Sequence, residues 1–404
     1  MLLAFGLCVP ISCAFGDAYE APPGYYAASV GLTGAALDSA LNSIVRGQTV
    51  RTYDQLRQDL AVTDRDWNFP PPVGSPLATT NILLMYSVGW SGYSRSGVWD
   101  SGATWNREHT WPDSRGVGQP DDGPDFSDMH HLRAANPSAN SARSNNYFDA
   151  GGTLAPVTQA PQCRKTTNTW ETPDTDKGWI ARAIGYMATR YDGTEVNTTD
   201  LVLVETPPAS TTGNPPQMGR KSTLLLWNRM HPPSDWERRR NQIIYDTFQH
   251  NRNPFIDYPE FVDAIYEAPA GRETRLTWRY RNFTLAELRD EAVSGDLADP
   301  DSDTRVNLLE FALGGNPRTS DAGVEPKLQF AAPGVMRFIY RRQRDRALSA
   351  LSYTIEFAGD LVGPWTPLTT GTESSVVLDG TIETVSVDFT PASANTFVRL
   401  RVSR

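Results

Sequence analysis

The segment from Trp105 to Phe148 limits the fold more than any other part of the chain. It opens with Trp105-Asn106-Arg107-Glu108-His109-Thr110-Trp111-Pro112, and Ala103 to Thr110 is predicted to be a strand ending at the Glu108-His109 pair. Trp111 to Phe126 carries Pro112, Gly116, Gly118, Pro120, Gly123 and Pro124, which exclude regular structure and make it a loop. Asp128 to Ala134 is predicted as a second strand. Asn136-Pro137-Ser138 reads as a helix start with proline in the first turn. A helix over Ser138 to Tyr147 then places Asn140 and Arg143 one turn apart on one face. The order strand, loop, strand, helix brings the end of the first strand beside the helix.

The residue types in this segment suit chemistry better than core filling. Of the five histidines in the chain, His130 and His131 are adjacent here and His109 lies about twenty positions earlier. A glutamate and several Asp, Asn and Arg surround them, a mixture that can hold a hard metal ion and activate water. Adjacent residues on a strand face opposite ways, so at most one of His130 and His131 can point at a site, and both read as structural. Asn145 and Asn146 read as helix C-terminal caps.

Three pieces, Arg107-Glu108-His109-x-Trp111-Pro112, Asp128-x-His130-His131-Leu132-Arg133 and Asn140-x-x-Arg143-Ser144-Asn145, resemble in order and spacing the endonuclease I family of secreted bacterial nucleases, of the ββα-metal or His-Me finger class. The resemblance implies His109 as general base, with Glu108 and Asn140 as ligands of one divalent metal, magnesium first and calcium or manganese as alternatives. It also implies an α+β nuclease domain built around a ββα-metal motif, and products carrying 5′-phosphates. A neutral imidazole suits removal of a proton from the attacking water, and a hard cation held by carboxylate and amide oxygens suits the charge gathering on phosphate. Asp128, or a backbone carbonyl, would fix the imidazole tautomer, and Arg143 or Arg115 would clamp phosphate through a guanidinium fork.

The likeness extends from about Tyr25 to Tyr266. Within it, helices are expected at Thr33–Arg46, Tyr53–Leu60 and Ser222–Arg229, and a buried strand at Asn81–Val88. Asp176 reads as an N-cap, and Ser234-Asp235-Trp236-Glu237 as a capping box. The family usually has an acidic residue where this chain has Trp179, so that turn is given no part in metal binding. Arg238-Arg239-Arg240 reads as a salt-bridged face, and Gln249 to Asp257 as a closing signature that ties the last helix to the core.

The formal net charge of −10 and a pI near 5.1 argue against a passive polyanion binder. They leave room for a nuclease whose charge is inverted locally by a metal and a few arginines. Residues 1–16 are apolar, too short to span a bilayer and end in small residues, so they read as a signal peptide cleaved near Ala14 or Gly16, with the basic leading region missing. Cys8 and Cys13 would leave with it, and Cys163 would remain without a partner. No other stretch is long and apolar enough for a membrane span.

Beyond the nuclease segment, assigned to 17–267, a linker at 268–320 contains a short predicted helix at Phe283–Val293. It also contains Asp299-Pro300-Asp301-Ser302-Asp303-Thr304-Arg305-Val306-Asn307-Leu308-Leu309-Glu310. Oxygen-bearing side chains at Asp299, Asp301, Asp303, Asn307 and Glu310 match positions one, three, five, nine and twelve of an EF-hand loop, with Thr304 where glycine is usual. A structural calcium ion is expected there, followed by a helix over Asn307–Leu313. This segment looks like dockerin-type calcium loops. From 321 to 404 apolar residues alternate in four runs between Gly and Pro turns, predicting a small all-β sandwich, similar to carboxy-terminal modules used for surface or glycan contact.

The sequence is therefore expected to encode a secreted, monomeric, metal-dependent endonuclease acting on DNA and possibly RNA through the backbone and not base edges. The competing readings are an inactive nuclease-like surface adhesin and a phosphoesterase for a small substrate.

Overall fold

A computed structural model describes residues 19–68, 80–118, 123–209, 215–391 and 396–404. The expected signal peptide, with Cys8 and Cys13, lies outside the described residues, as does the 119–122 part of the Gly/Pro loop. Two compact units are present: residues up to Ala27 with Ile44–Asp257, and Ala28–Ser43 with Tyr258–Arg404.

The first unit contains a two-stranded antiparallel ribbon, β1 (Asn106–His109) and β2 (Leu132–Ala135), followed by helix α1 (Pro137–Arg143). In register, Glu108 faces Arg133 and His109 faces Leu132. The strands are shorter than the sequence predicts because both flanks turn. Thr110 closes the ribbon by donating backbone and hydroxyl bonds to the His131 carbonyl, 3.1 and 2.7 Å. His130 and His131 precede β2 and lie in a turn, so strand alternation does not apply to them. Asn136 caps α1, its side chain accepting from Ser138 N at 2.9 Å, with Pro137 in the first turn. The helix ends at Arg143 because Ser144 turns to φ 57°.

Beneath the ribbon lies a core of Leu56, Leu60, Ile82, Leu84, Trp105, Met129, Leu132, Ala134, Ile244 and Phe248. Its first two members come from the helix Leu56–Thr63, displaced by one turn from the predicted Tyr53–Leu60. The run from Asn81 is a strand only to Leu83, after which the chain stays buried but irregular through Tyr86. Helix α2 (Asp174–Arg190) is buried along most of its length. Gly178 admits the close approach of a neighbouring segment, since a Cβ there would stand 2.2 Å from the His231 carbonyl oxygen. Pro173, not Asp176, is its N-cap. Asp176 lies inside the first turn, where its carboxylate accepts from Arg133 Nη1 at 3.2 Å and from Tyr86 N at 2.9 Å.

Helix α3 (Asp235–Ile243) begins with the Ser234–Glu237 capping box and continues as a π-helical turn over Ile244–Phe248. Of the basic run, Arg240 is buried and bonds Asp64 at 2.8 Å and the Leu132 carbonyl at 2.7 Å. In the closing segment Arg252 makes a two-pronged bond to Asp257, both 2.7 Å.

The second unit contains the helix Gly34–Val45 up to Ser43, a helix Arg275–Asn282 inside the expected linker, and helix α4 (Asn307–Leu313). The expected helix at Phe283–Val293 is two short turns, Leu285–Leu288 and Glu291–Ser294, parted where Asp290 caps the second. Two antiparallel sheets follow. One joins β3 (Lys327–Ala332), β4 (Val335–Gln343), β8 (Ile382–Phe389) and β7 (Thr372–Val377). The other joins β6 (Thr366–Pro367), β5 (Ser352–Ala358) and β9 (Phe397–Ser403). Phe338, Tyr340, Val385, Val387 and Phe389 from the first sheet share a core with Tyr353, Ile355, Val398 and Leu400 from the second.

Candidate active site

Strand alternation divides the end of β1 into two faces. Asn106 and Glu108 face α1; Arg107 and His109 face Tyr53. On the α1 side, Asn140 Nδ2 donates to Asn106 Oδ1 at 3.0 Å, and one turn later Arg143 Nη1 lies 3.2 Å from Glu108 Oε1. The helix is thus pinned to the strand at Asn140 and, one turn on, at Arg143. Tyr86 donates its hydroxyl to the same Glu108 Oε1 at 2.9 Å. Glu108 is 2 % exposed, and burial pushes its carboxyl up to about 7 against the pull of Arg143 and the tyrosine hydroxyl.

Tyr86 itself is held in the left-handed region, φ 72°, where an aromatic side chain is strained by about 1–3 kcal/mol. The bond from its backbone N to Asp176 keeps it there. Asp176 therefore acts on the site through Tyr86, whose only mark in the sequence is one tyrosine inside an apolar run.

On the other face, His109 Nε2 lies 2.8 Å from the Phe126 carbonyl oxygen. A carbonyl only accepts, so the proton is on Nε2 and Nδ1 carries the lone pair. Tyr53 stacks on the imidazole at 5.5 Å and 16°, and Phe126 packs at 4.8 Å. Burial pushes the imidazole down to about 4, opposed by the carbonyl bond and by the Asp113 charge, so the ring is neutral above pH 5. Asp113, exposed in the short 3-10 turn Asp113–Arg115, also raises Glu108, which makes it an acidic neighbour of both residues.

Three sequence assignments need correction. Asp128 does not orient His109; the backbone carbonyl of Phe126 does. The Asp128 carboxylate is instead a buried hub that accepts from Gln48, Gln249, Tyr186, Tyr191 and the His130 backbone, with distances from 2.7 to 3.3 Å. Arg143 is 1 % exposed and spends its fork on the carbonyls of His109, Thr110 and Ser144, 3.0, 2.5 and 3.3 Å, as well as on Glu108. Arg115, 2 % exposed, bonds the carbonyls of Asn145 and Pro208 at 2.7 and 3.2 Å. Both arginines hold the loops around the site and neither presents an open fork to a phosphate. His131 is buried with Nε2 on the Asp125 carbonyl at 2.9 Å, and its ring lies 5.3 Å from that of His109.

An Endonuclease I family profile matches residues 33–260. The chain belongs to the endonuclease I family. It is 41% identical over 242 residues to an extracellular ribonuclease of Bacillus amyloliquefaciens, covering 60% of this chain and 78% of that protein. It is 40% identical over 244 residues to an extracellular ribonuclease of Bacillus subtilis (strain 168), with the same coverage. The endonuclease is therefore a phosphodiester hydrolase. Its family generally uses a divalent metal ion, and the donor set at the seam fits one. Both bonds to Glu108 converge on Oε1, which leaves Oε2 as the carboxylate oxygen for a cation. Asn140 has its Nδ2 engaged on Asn106, which leaves the amide oxygen. One anionic and one neutral hard oxygen suit a cation of the magnesium and calcium class. Among the described residues of the endonuclease, no helix is long and apolar enough to cross a membrane.

Proposed function

We propose that this endonuclease is secreted and cuts RNA and DNA within the chain, with His109 as general base and Glu108 and Asn140 holding one divalent ion. In this reading β1, β2 and α1 act as a ββα-metal motif, inside a nuclease segment spanning 17–267 that precedes a β-sheet module at 321–404. The observation that carries it is the His109 tautomer. With Nε2 donating to Phe126, the basic Nδ1 is the free nitrogen.

The attacking water gives its proton to His109 Nδ1. Tyr53 and the Phe126 carbonyl keep the ring from rotating while this happens. Arg143 and Tyr86 hold Glu108 at the seam, so its remaining oxygen is directed without reorganisation when substrate binds. A bound divalent ion supplies charge neutralisation on the phosphate and on the leaving 3′ oxygen. Product ends carry 5′-phosphate. None of these groups reads a base edge, which supports cleavage with little sequence preference. The names of the two Bacillus relatives support RNA as a substrate and an extracellular location.

The test is cleavage of supercoiled plasmid and of a structureless RNA, with and without a chelator. Chelation should abolish both, and His109→Ala should slow both by about 10²–10⁴-fold. Cleavage by His109→Ala at the wild-type rate overturns the assignment.

A further inference from the structure

Arg143 and Arg115 are committed to backbone carbonyls, so a cation for the substrate backbone has to come from elsewhere, and two stand on the His109 face of β1. Arg107 precedes His109 by two residues on that face, so the two lie about 6.7 Å apart along the strand. From the imidazole outward the side chains form a continuous stack. Tyr53 lies on His109 at 5.5 Å, the Arg107 guanidinium over Tyr53 at 3.5 Å, Trp99 beside Arg107 at 5.3 Å, and the Arg57 guanidinium over Trp99 at 5.4 Å. The buried Trp105 anchors Trp99 edge to face at 4.9 Å. A guanidinium held over a ring is attracted by the ring quadrupole and can still aim its in-plane N–H groups at another partner.

Such stacks are often structural, but the polar atoms around this one are poorly satisfied. Arg107 Nη1 bonds the Tyr53 carbonyl, Nε is buried without a partner, and Nη2 has none among the described residues. Arg57 Nε is likewise buried and bare, while its Nη2 meets Asp54 Oδ1 at 2.8 Å. The same Asp54 oxygen is 4.0 Å from Arg107 Nη1.

One carboxylate oxygen thus stands between two guanidiniums, on a side chain that is 73 % exposed. An exposed pair of this kind contributes little to stability, so an incoming phosphate displaces the carboxylate readily. Burial pushes the Arg107 guanidinium down and the Arg57 charge adds to this, a repulsion that a bound anion relieves.

We propose that Arg107 and Arg57 clamp the phosphate next to the one being cut, with the Asp54 carboxylate standing where that phosphate goes. Tyr53 and Trp99 hold the two guanidiniums beside His109, so the substrate backbone runs along the stack from Tyr53 to Trp99. The contact is to the backbone and serves RNA and DNA alike.

The clamp rests on the nuclease reading, and its test separates the two. Binding of a fluorescein-labelled single-stranded oligodeoxynucleotide is followed by anisotropy in EDTA over a series of sodium chloride concentrations. Arg107→Gln should weaken binding about tenfold and flatten the slope of log Kd against log salt by about 0.7, the share of one phosphate. Arg57→Gln should act in the same direction, and Arg107→Lys should keep the slope. Asp54→Asn should tighten binding, a gain that a loosened fold does not imitate. Circular dichroism checks that each variant is folded. An unchanged slope in folded Arg107→Gln, or Asp54→Asn binding no tighter than wild type, overturns the clamp. If the wild type cuts plasmid while the slopes stay the same, the clamp alone falls. If the wild type cuts neither plasmid nor RNA while Arg107→Gln still flattens the slope, the nuclease reading falls and the anion site stands.

Discussion

Arg143 and Glu108 meet at 3.2 Å with both side chains buried, and the same guanidinium nitrogen reaches the backbone carbonyl of His109 at 3.0 Å. One cation thus fixes the carboxylate and the backbone of the adjoining histidine. Arg143→Leu leaves Glu108 buried without its counter-charge, and removal of one partner of such a pair costs about 3–5 kcal/mol. A drop of that size in the urea unfolding free energy is expected. Arg143→Lys keeps the charge but not the fork, and should fall between the two.

Tyr86→Phe isolates the hydroxyl bond to Glu108, since the ring packing against Trp170 at 5.5 Å survives. A loss near 1 kcal/mol in stability is expected. Cleavage should also fall, and raising the magnesium concentration should restore most of it. Cleavage unaffected at every magnesium concentration would mean that the tyrosine does not position the carboxylate.

Asp128→Asn should behave in the opposite sense. It replaces an acceptor of five donors by an amide that turns an NH₂ toward some of them, at about 1–3 kcal/mol. The melting temperature should fall, while the cleavage rate per folded molecule at 25 °C stays at the wild-type value. A rate loss as large as that of His109→Ala would restore the catalytic role that the structure removes from Asp128.

Acid should unfold the protein through its buried histidines. Burial pushes His130 down to about 4 and His131 to about 3. His130 is faced by Asp128, Arg240, the Asn251 carbonyl and the Tyr186 ring, and His131 by His109, Asp128 and the Asp125 carbonyl. Both folded-state values lie below the unfolded value near 6.5, so the unfolded chain binds protons first as pH falls. Their contribution is whole above about pH 6.5 and is lost between there and pH 3–4. His109, pushed down to about 4, and Asp128, held below the usual carboxylate range, add in the same direction, while Glu108, pushed up to about 7, and Asp125, pushed up to about 6, oppose. Thermal melts from pH 8 to 4 should show the fall, and His131→Asn should make it shallower.

Local signals carried much of the fold. Proline and glycine between Trp111 and Phe126, the Asn136-Pro137 start and the Ser234–Glu237 box are short-range chemistry, and the elements lie where they point. The helix Arg275–Asn282 is hidden in the sequence because its five polar or charged positions obscure the buried Trp278. At the site, the pairing of Arg107-Glu108-His109 with Asn140 and Arg143 was readable because each piece is contiguous. The supports were not. Tyr86, Tyr53, Asp176 and the Phe126 carbonyl come from separate segments, and a backbone carbonyl leaves no mark in the residue code. The role of Asp128 is hidden for the same reason: its partners Gln48, Tyr186, Tyr191 and Gln249 come from distant segments.

Residues 28–43 belong with the carboxy-terminal unit, although the family likeness begins at residue 33. Tyr280 donates to the carbonyls of Ser29 and Leu32, 2.9 and 3.0 Å, and Gly34 leaves space for the Pro269 ring. An expression clone ended at Asp257 would remove the Tyr280 hydroxyl and the Pro269 ring that hold the chain leading into the helix Gly34–Val45. Shortening this enzyme for biotechnology therefore requires redesigning its early helix as well as choosing a stop codon.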